Sequence, residues 1–125
     1  MTTTAERLDL SDEQVDALFH ALADRTRRDI LRRSLAGEYS VSTLASHYDM
    51  SFAAVQKHVA VLERAGLVTK RRAGREALAS GEVTAVRSVS ALLDELEQIW
   101  RGRISRIDDL LAADLTTPTD ADSDE

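Results

Sequence analysis

The sequence predicts a mainly α-helical fold that contains one small β-hairpin. Apolar residues recur at helical spacing through most of the 125 residues, and the period becomes extended only after Gly66. One proline and five glycines leave few breaks between helices. With 43% hydrophobic residues the chain can build one core of modest size. We therefore expect one domain over residues 11–113, preceded by a flexible N-terminus over residues 1–10.

The first two helices have clear start signals. Ser11 and Gln14 have the spacing of a capping box, from which a first helix runs to about Ala23. Asp24 can cap a second helix, and Gly37 follows at its natural end. The residues predicted to face inward are Val15, Leu18, Phe19 and Leu22 in the first helix and Ile30, Leu31 and Leu35 in the second.

Two further helices follow, separated by a turn. Either Ser40 or Ser42 can open a short third helix, and the pair at 49–50 forms the turn. Ser51 then caps a fourth helix that ends at Gly66. The predicted inward residues are Val41, Leu44, Ala45 and Tyr48 in the third helix and Val55, Val59 and Leu62 in the fourth.

The remainder reads as a hairpin, a long helix and a tail. Residues 67–72 and 75–79 form the two strands, with Gly74 in the turn between them. Helical spacing of apolar residues then continues from about Glu82 to Ala113. Residues 114–125 are polar and acidic, which predicts a disordered tail.

Charge is distributed unevenly along the chain. The net charge of −6 argues at first against a nucleic-acid partner, because DNA binding depends on Lys and Arg at phosphates. Residues 50–75, however, hold six basic side chains and one acid, a local charge of +5. Residues 108–125 hold seven acids and no base, a local charge of −7. A basic patch and an acidic tail therefore coexist.

The order of these elements is that of a winged helix-turn-helix domain, with a long C-terminal helix for dimerisation. In this fold the second helix of the turn pair enters the major groove of DNA. Ala53, Lys57, Ala60 and Arg64 lie on the face of the fourth helix opposite its apolar stripe, with Gln56 at the edge. Alanines permit close approach, glutamine can bond adenine, and lysine can bond guanine or phosphate. The alternative reading of this face is an ordinary solvated surface.

The hairpin favours the DNA-binding reading. Lys70, Arg71, Arg72 and Arg75 cluster around its glycine turn. A hairpin tip at this place in the fold can reach backbone phosphates or the minor groove.

Four segments together resemble the ArsR family of winged helix regulators. They are ALADRTRRDIL (21–31), VSTLA (41–45), SFAAVQKHVAVLERAGLV (51–68) and the basic hairpin with Gly74-Arg75. The resemblance covers residues 13–111 and implies a homodimeric repressor. It places the recognition helix at Ser51–Arg64 and the wing at Lys70–Leu78. Gln56 stands where the family commonly has serine. This difference does not affect the predicted fold, but the operator sequence of the family does not carry over to this chain.

Two sets of site residues are predicted. The residues expected to bind double-stranded DNA are Ser42, Ser51, Ala53, Gln56, Lys57, His58, Arg64, Lys70, Arg71, Arg72 and Arg75. The residues expected at a homodimer interface are Leu18, Leu92, Leu93, Leu96, Ile99, Trp100, Ile104 and Ile107, because one small core cannot cover so much apolar surface.

No cofactor, metal site or catalytic residue is predicted. The chain has no cysteine, and Ser42-Thr43-Leu44-Ala45 stands where the family has a Cys-x-Cys metal site. The three histidines fall on different predicted helices, and the long last helix has none. Each is interpreted as a surface or helix-packing histidine, and His58 can also donate to a phosphate. The carboxylates of the last helix at 94, 95 and 97 lack a partner base, so we expect no enzyme. Regulation is left to protein concentration, a partner protein or an organic effector at the dimer interface.

Two expectations complete the prediction. The N-terminus lacks a basic and apolar signal peptide, and no apolar run could span a membrane, so a cytoplasmic protein without a membrane partner is expected. The alternative function is a winged helix module that docks a partner protein. Such a module would carry exposed apolar anchors on its wing, and this wing is basic instead.

Overall fold

The computed structural model of the chain describes residues 10–123, with side chains as far as Asp114. Residues 1–9, which make up nearly all of the predicted flexible N-terminus, lie outside the described residues. The chain divides into two compact units, one ending at Ser90 and one beginning at Ala91.

The described elements follow the predicted order, with one strand added. The helices are α1 (Asp12–Leu22), α2 (Arg25–Ala36), α3 (Val41–Ala45), α4 (Phe52–Arg64) and α5 (Val83–Ser123), and the strands are β1 (Tyr39–Ser40), β2 (Val68–Ala73) and β3 (Glu76–Gly81). The chain is therefore a winged helix-turn-helix domain with a long C-terminal helix, as the sequence predicts. Among the described helices, none combines the length and the apolarity that crossing a membrane requires.

Local caps begin the helices where the sequence predicts. Ser11 and Gln14 form both bonds of the capping box, at 3.1 Å and 2.7 Å. The Asp24 carboxylate accepts from the Arg27 backbone N–H at 3.0 Å. Ser40, rather than Ser42, opens α3, because its hydroxyl accepts from the backbone N–H of the third residue along at 3.0 Å. Each cap satisfies a backbone donor that the helix itself leaves free.

The sheet has three antiparallel strands in the order β1-β3-β2. Its hairpin turns through the two residues Gly74 and Arg75, and Gly74 takes a positive φ of 66° that glycine adopts without strain. The sequence predicted only the hairpin. β1 is two residues long, which is too short for alternation to reveal.

The core of the first unit is formed by apolar side chains from every element before α5 except β1, together with Leu67. They are Leu18, Ala21, Ile30, Leu31, Val41, Leu44, Val55, Val59, Leu62, Leu67, Val68 and Ala79. Two inward predictions are wrong: Phe19 is 39% exposed and Leu35 is 43% exposed. Ile30, Leu31 and Ser34 form the buried stripe of α2 instead, and Leu35 lies at its margin against Gly81 of β3.

The last helix is longer than predicted. It runs over Val83–Ser123, whereas the apolar pattern ends near Ala113. No glycine follows Gly102 to stop the helix. These bounds include most of the acidic segment 114–125, but its side chains after Asp114 lie outside the described residues, so its disorder stays a prediction.

Candidate nucleic-acid interface

The helix-turn-helix pair leaves one face of α4 open. Val55, Val59 and Leu62 are fully buried in the core, which fixes the rotation of the helix about its axis. The predicted contact residues Ala53, Gln56, Lys57 and Arg64 are exposed, and Ala60 is half-buried. The open face therefore combines a small side chain, an amide and two cations, which suits close approach to base edges and phosphates.

The start of α4 adds apolar side chains that the sequence reasoning missed. Ser51 is exposed and caps the helix, accepting from the Ala54 N–H at 3.1 Å, and Ser42 is exposed on α3. Phe52 directly after the cap is 46% exposed, and Met50 before it is 37% exposed. Helical spacing alone does not reveal Phe52, because at about 100° per residue it falls next to Val55 and Val59 of the inward stripe.

His58 was predicted to contact DNA, and the structure places it on the flank of α4 that faces α2. Its Nδ1 lies 3.3 Å from the Arg27 guanidinium and 3.9 Å from the Asp24 carboxylate. Arg27 also donates to the carbonyl oxygens of His20 and Ala21, each at 2.9 Å. His58 thus joins a network that fastens α4 to α1 and α2, and its helical position explains why it is turned from the open face.

The turn between α3 and α4 is anchored to α2 by a second polar cluster. The Tyr48 hydroxyl donates to Asp29 Oδ2 at 2.6 Å, and Arg33 Nε donates to the same oxygen at 3.0 Å. Burial, together with the bond to Asp29, raises the pKa of Tyr48 to about 12. The same bond, followed by the bond from Arg33, lowers the pKa of Asp29. These contacts hold the turn that positions α4.

All four basic residues of the wing are exposed, but their electrostatic surroundings differ. Arg71 donates two bonds to Glu38, at 2.9 Å and 2.8 Å, which lower the pKa of that carboxyl. Lys70 Nζ lies 3.5 Å from the carboxylate of Glu63. Arg72 and Arg75 make no ion pair with any residue that the structure describes. Two of the four predicted phosphate contacts are therefore free, and two share their charge with the protein.

The residues predicted at a dimer interface fall into two groups. Leu18 is 4% exposed. It lies on the inward face of α1 and packs in the core of its own chain, so it offers no surface to a second copy. Leu92 is half-buried. The other predicted residues are 38–64% exposed: Leu93, Leu96, Ile99, Trp100, Ile104 and Ile107. They give the second unit a long apolar stripe.

A groove of about 670 Å³ lies in the first unit between α1, the end of α4 and the start of α5. Ala17 and Leu18 form part of its apolar wall, and Thr69 and Glu82 form part of its polar wall. Arg64, in the last turn of α4, also lines it, so the groove reaches the helix predicted to contact DNA. Nowhere in residues 10–114 do three or more His, Cys, Asp or Glu side chains cluster to hold a metal ion.

Comparisons with known proteins agree with this geometry. Residues 22–71 match a family model described as a helix-turn-helix domain. The HTH-type transcriptional regulator Rv2034 of Mycobacterium tuberculosis is 36% identical over 85 residues, which are 68% of this chain and 77% of that protein. The transcriptional activator HlyU of Vibrio cholerae is 30% identical over 91 residues, which are 73% of this chain and 84% of that protein.

A solved structure is similar over the same region. The crystal structure of an ArsR family transcriptional regulator has 35% sequence identity and a TM-score of 0.69. The alignment covers 73% of this chain and 94% of that one.

Proposed function

The chain belongs to the ArsR family of winged helix-turn-helix transcriptional regulators, and we propose that it represses transcription as a homodimer bound to an inverted-repeat operator. The proposal includes no metal. Each protomer places α4 in the major groove and its wing against the adjacent backbone. Two-fold symmetry requires half-sites about one helical turn apart, roughly 10 base pairs or a multiple of this.

The observation that carries the proposal is the division of α4 into a buried face and an open one. Val55, Val59 and Leu62 are fully buried, while Gln56 and Lys57 are exposed. Gln56 can bond the edge of adenine through two hydrogen bonds, and Lys57 can bond guanine or a phosphate. Arg72 and Arg75, which are exposed and form no ion pair with any described residue, add charge beside this helix.

The dimer is supported by the apolar stripe of α5. Ile99 is 64% exposed and Trp100 is 55% exposed in the single chain. A contiguous apolar surface of this kind is rare on a monomer, and a second copy covers it symmetrically. A dimer that occupies a promoter excludes polymerase from the same DNA, which is the physical basis of the proposed repression. Activation, the role in the name of the Vibrio cholerae relative, is the competing outcome.

The competing function is a winged helix that docks a protein partner. The exposed side chains of the wing tip are cations rather than the aromatic anchors expected of a protein interface. Retention of genomic DNA fragments at two salt concentrations, followed by sequencing, separates the two functions. DNA binding by the proposed mode gives a shared inverted repeat among the retained fragments, and its absence contradicts the proposal.

A triple variant tests the assigned DNA face. Lys57→Ala, Arg71→Ala and Arg72→Ala together should weaken operator binding and flatten the plot of log affinity against log salt. Each phosphate contact removed should change the slope by about one unit. Arg32→Ala, at an exposed arginine of α2, is the control and should leave the slope unchanged. Unchanged affinity and slope in the triple variant would place the DNA contacts elsewhere.

The absence of metal control is tested on the same operator. Affinity is measured with a chelator and then with added zinc, copper, nickel or cobalt. Allosteric coupling in proteins commonly changes affinity by about 5-fold or more. A reversible change of that size with one of these ions, and none with magnesium, would contradict the metal-free mechanism.

A further inference from the structure

Phe52 is a large apolar side chain at the surface expected to meet DNA. It is the first residue of α4, directly after the capping Ser51, and 46% of it is exposed. It lies beside the inward stripe, three residues before the fully buried Val55, and yet it is not part of the core. An exposed aromatic ring beside polar contact residues is the kind of side chain that recognition surfaces use as an apolar anchor.

Phe52 lies next to Gln56, a polar side chain that can contact the edge of a base. Gln56 lies four residues further along, and side chains at this spacing are neighbours on a helix, with about 5–6 Å between their Cβ atoms. That separation is less than two base-pair steps of DNA. Phe52 and Gln56 therefore lie close enough to meet the same or adjacent base pairs.

The chemistry of the major groove leaves one partner for a phenyl ring. Phe52 has no atom that can form a conventional hydrogen bond with the polar edges of guanine, cytosine or adenine. Thymine alone presents an apolar group there, the C5 methyl, and recognition helices contact base edges with their N-terminal residues. We propose that Phe52 contacts a thymine methyl in each half-site and so imposes a thymine at that position.

This inference rests on the proposed DNA-binding function and adds one reading residue to it. The competing occupant of the Phe52 surface is a protein, either a second copy or another partner. A protein contact predicts that Phe52→Ala changes the oligomeric state or leaves base preference untouched. A methyl contact predicts a change at one base position only.

The test removes the methyl group from the DNA and the ring from the protein. The operator is first selected from random DNA with the wild-type chain, and each thymine is then replaced in turn by deoxyuridine, which keeps base pairing and O4. Loss of a buried methyl or methylene is worth about fourfold in affinity. Wild-type affinity should fall by about this factor at one symmetric thymine position per half-site.

The variants locate that effect. Phe52→Ala should bind the thymine and deoxyuridine operators equally, and Phe52→Leu should keep part of the preference. Arg72→Ala, which removes a wing cation, should bind more weakly and keep the full preference. Circular dichroism checks that each variant is folded.

The outcomes separate this inference from the proposed function. If the wild-type chain selects no sequence, both fail. If it selects an operator but no thymine responds to deoxyuridine, the methyl contact alone is contradicted. The same holds if Phe52→Ala responds as strongly as wild type, or if it changes the sedimentation of the protein instead.

Discussion

Arg71 is the most strongly paired cation of the wing. Its guanidinium forms two parallel bonds with Glu38, and this pairing raises the pKa of Arg71 and lowers that of Glu38. A phosphate that binds Arg71 must compete with this carboxylate. Glu38 therefore subtracts from the positive charge that the wing offers to DNA, while it fixes the direction of the arginine.

Glu38→Gln tests which of these two effects is larger. We expect the variant to bind the operator more tightly, because Arg71 no longer shares its charge, and to steepen the salt dependence by up to about one unit. Glu97→Gln, which removes the partner of Arg101 in the second unit, is the matched control. Weaker binding by Glu38→Gln would mean that the carboxylate orients Arg71 toward the phosphate instead.

Tyr48 makes a further residue-scale prediction that concerns stability. Its hydroxyl bond to the Asp29 carboxylate should make Tyr48→Phe less stable by about 1.5–3 kcal/mol in urea unfolding at neutral pH. The effect on Asp29 has a defined sign. Because the pKa of Asp29 is lowered in the folded protein, the ionised carboxylate stabilises the fold at pH values above its ordinary pKa of 3.8. This stabilisation is lost as the pH falls through the pKa of the folded state.

The alkaline side gives the sharper measurement. The folded pKa of Tyr48 is raised from 10.0 to about 12, so its contribution is complete below pH 10 and is lost as pH rises toward 12. Tyr48→Phe should remove this part of the alkaline loss of stability. Tyr39→Phe, at an exposed tyrosine, is the control and should keep it. An unaltered alkaline profile in Tyr48→Phe would show that another group titrates.

The sequence predicts local contacts well and distant ones poorly. Ser11 and Gln14 are three residues apart, so their capping box can be read from the chain directly. The Arg27 contact with His58 and the Arg71 bonds with Glu38 join residues 31 and 33 apart. Nothing in the local pattern selects those partners among the many charged side chains. The sequence therefore predicts the four wing cations as equivalent and names no packing partner for His58.

At the scale of elements, the two-residue strand β1 holds the wing hairpin against the start of α3. Tyr39 pairs with Ala79 and Ser40 pairs with Leu78, which ties the wing hairpin to the start of α3. Ser40 also caps α3, so two residues join three elements. Period-2 alternation cannot be detected in two residues, whereas the longer helices and the hairpin have both periodicity and end signals. This is why the helices and the hairpin were predicted and the third strand was not.

Gly81, at the end of β3, lies close against α2. A Cβ added there would lie 2.7 Å from Leu35 Cδ2 and 2.9 Å from the Leu35 backbone nitrogen. The side chain can turn aside, but the backbone can move only with the helix. We expect Gly81→Ala to lower the free energy of unfolding by about 1–3 kcal/mol, as overpacking does.

Gly37→Ala is the matched control for this substitution. Gly37 has an extended φ of −176°, and the atom nearest to a Cβ there would be in the Tyr39 ring at 3.6 Å, an ordinary contact. Denaturant midpoints of the two variants should therefore separate clearly. Equal midpoints would mean that the contact of β3 with α2 relaxes without cost.

At the scale of the whole molecule, charge and apolar surface lie in different parts of the chain. Basic residues concentrate over 50–75, and the second unit carries an apolar stripe with acids and bases around it. The overall charge of −6 therefore does not oppose DNA binding, because the local field near α4 and the wing is positive. The net charge alone argues against DNA as a partner, whereas the positions of the basic residues along the chain favour it.

The last prediction concerns the apolar stripe as a dimer interface. Ile99 is 64% exposed, and Trp100 beside it has the Arg103 guanidinium 5.7 Å from its ring centroid. A charge introduced at Ile99 would have to lose its water when a second copy covers the stripe, which costs several kcal/mol. Ile99→Glu should therefore sediment as a monomer at concentrations where the wild-type chain is a dimer.

Operator binding should fall together with the dimer, because one protomer contacts only one half-site and loses the gain from holding both at once. Gln98→Glu places the same charge on the exposed neighbouring position outside the stripe, so it should remain dimeric and keep its affinity. Both variants should keep the helical circular dichroism of the wild-type chain, since neither side chain belongs to the core of the first unit. A dimeric Ile99→Glu would move the interface away from this stripe, and a wild-type chain that is monomeric when bound to its operator would contradict the two-fold arrangement itself.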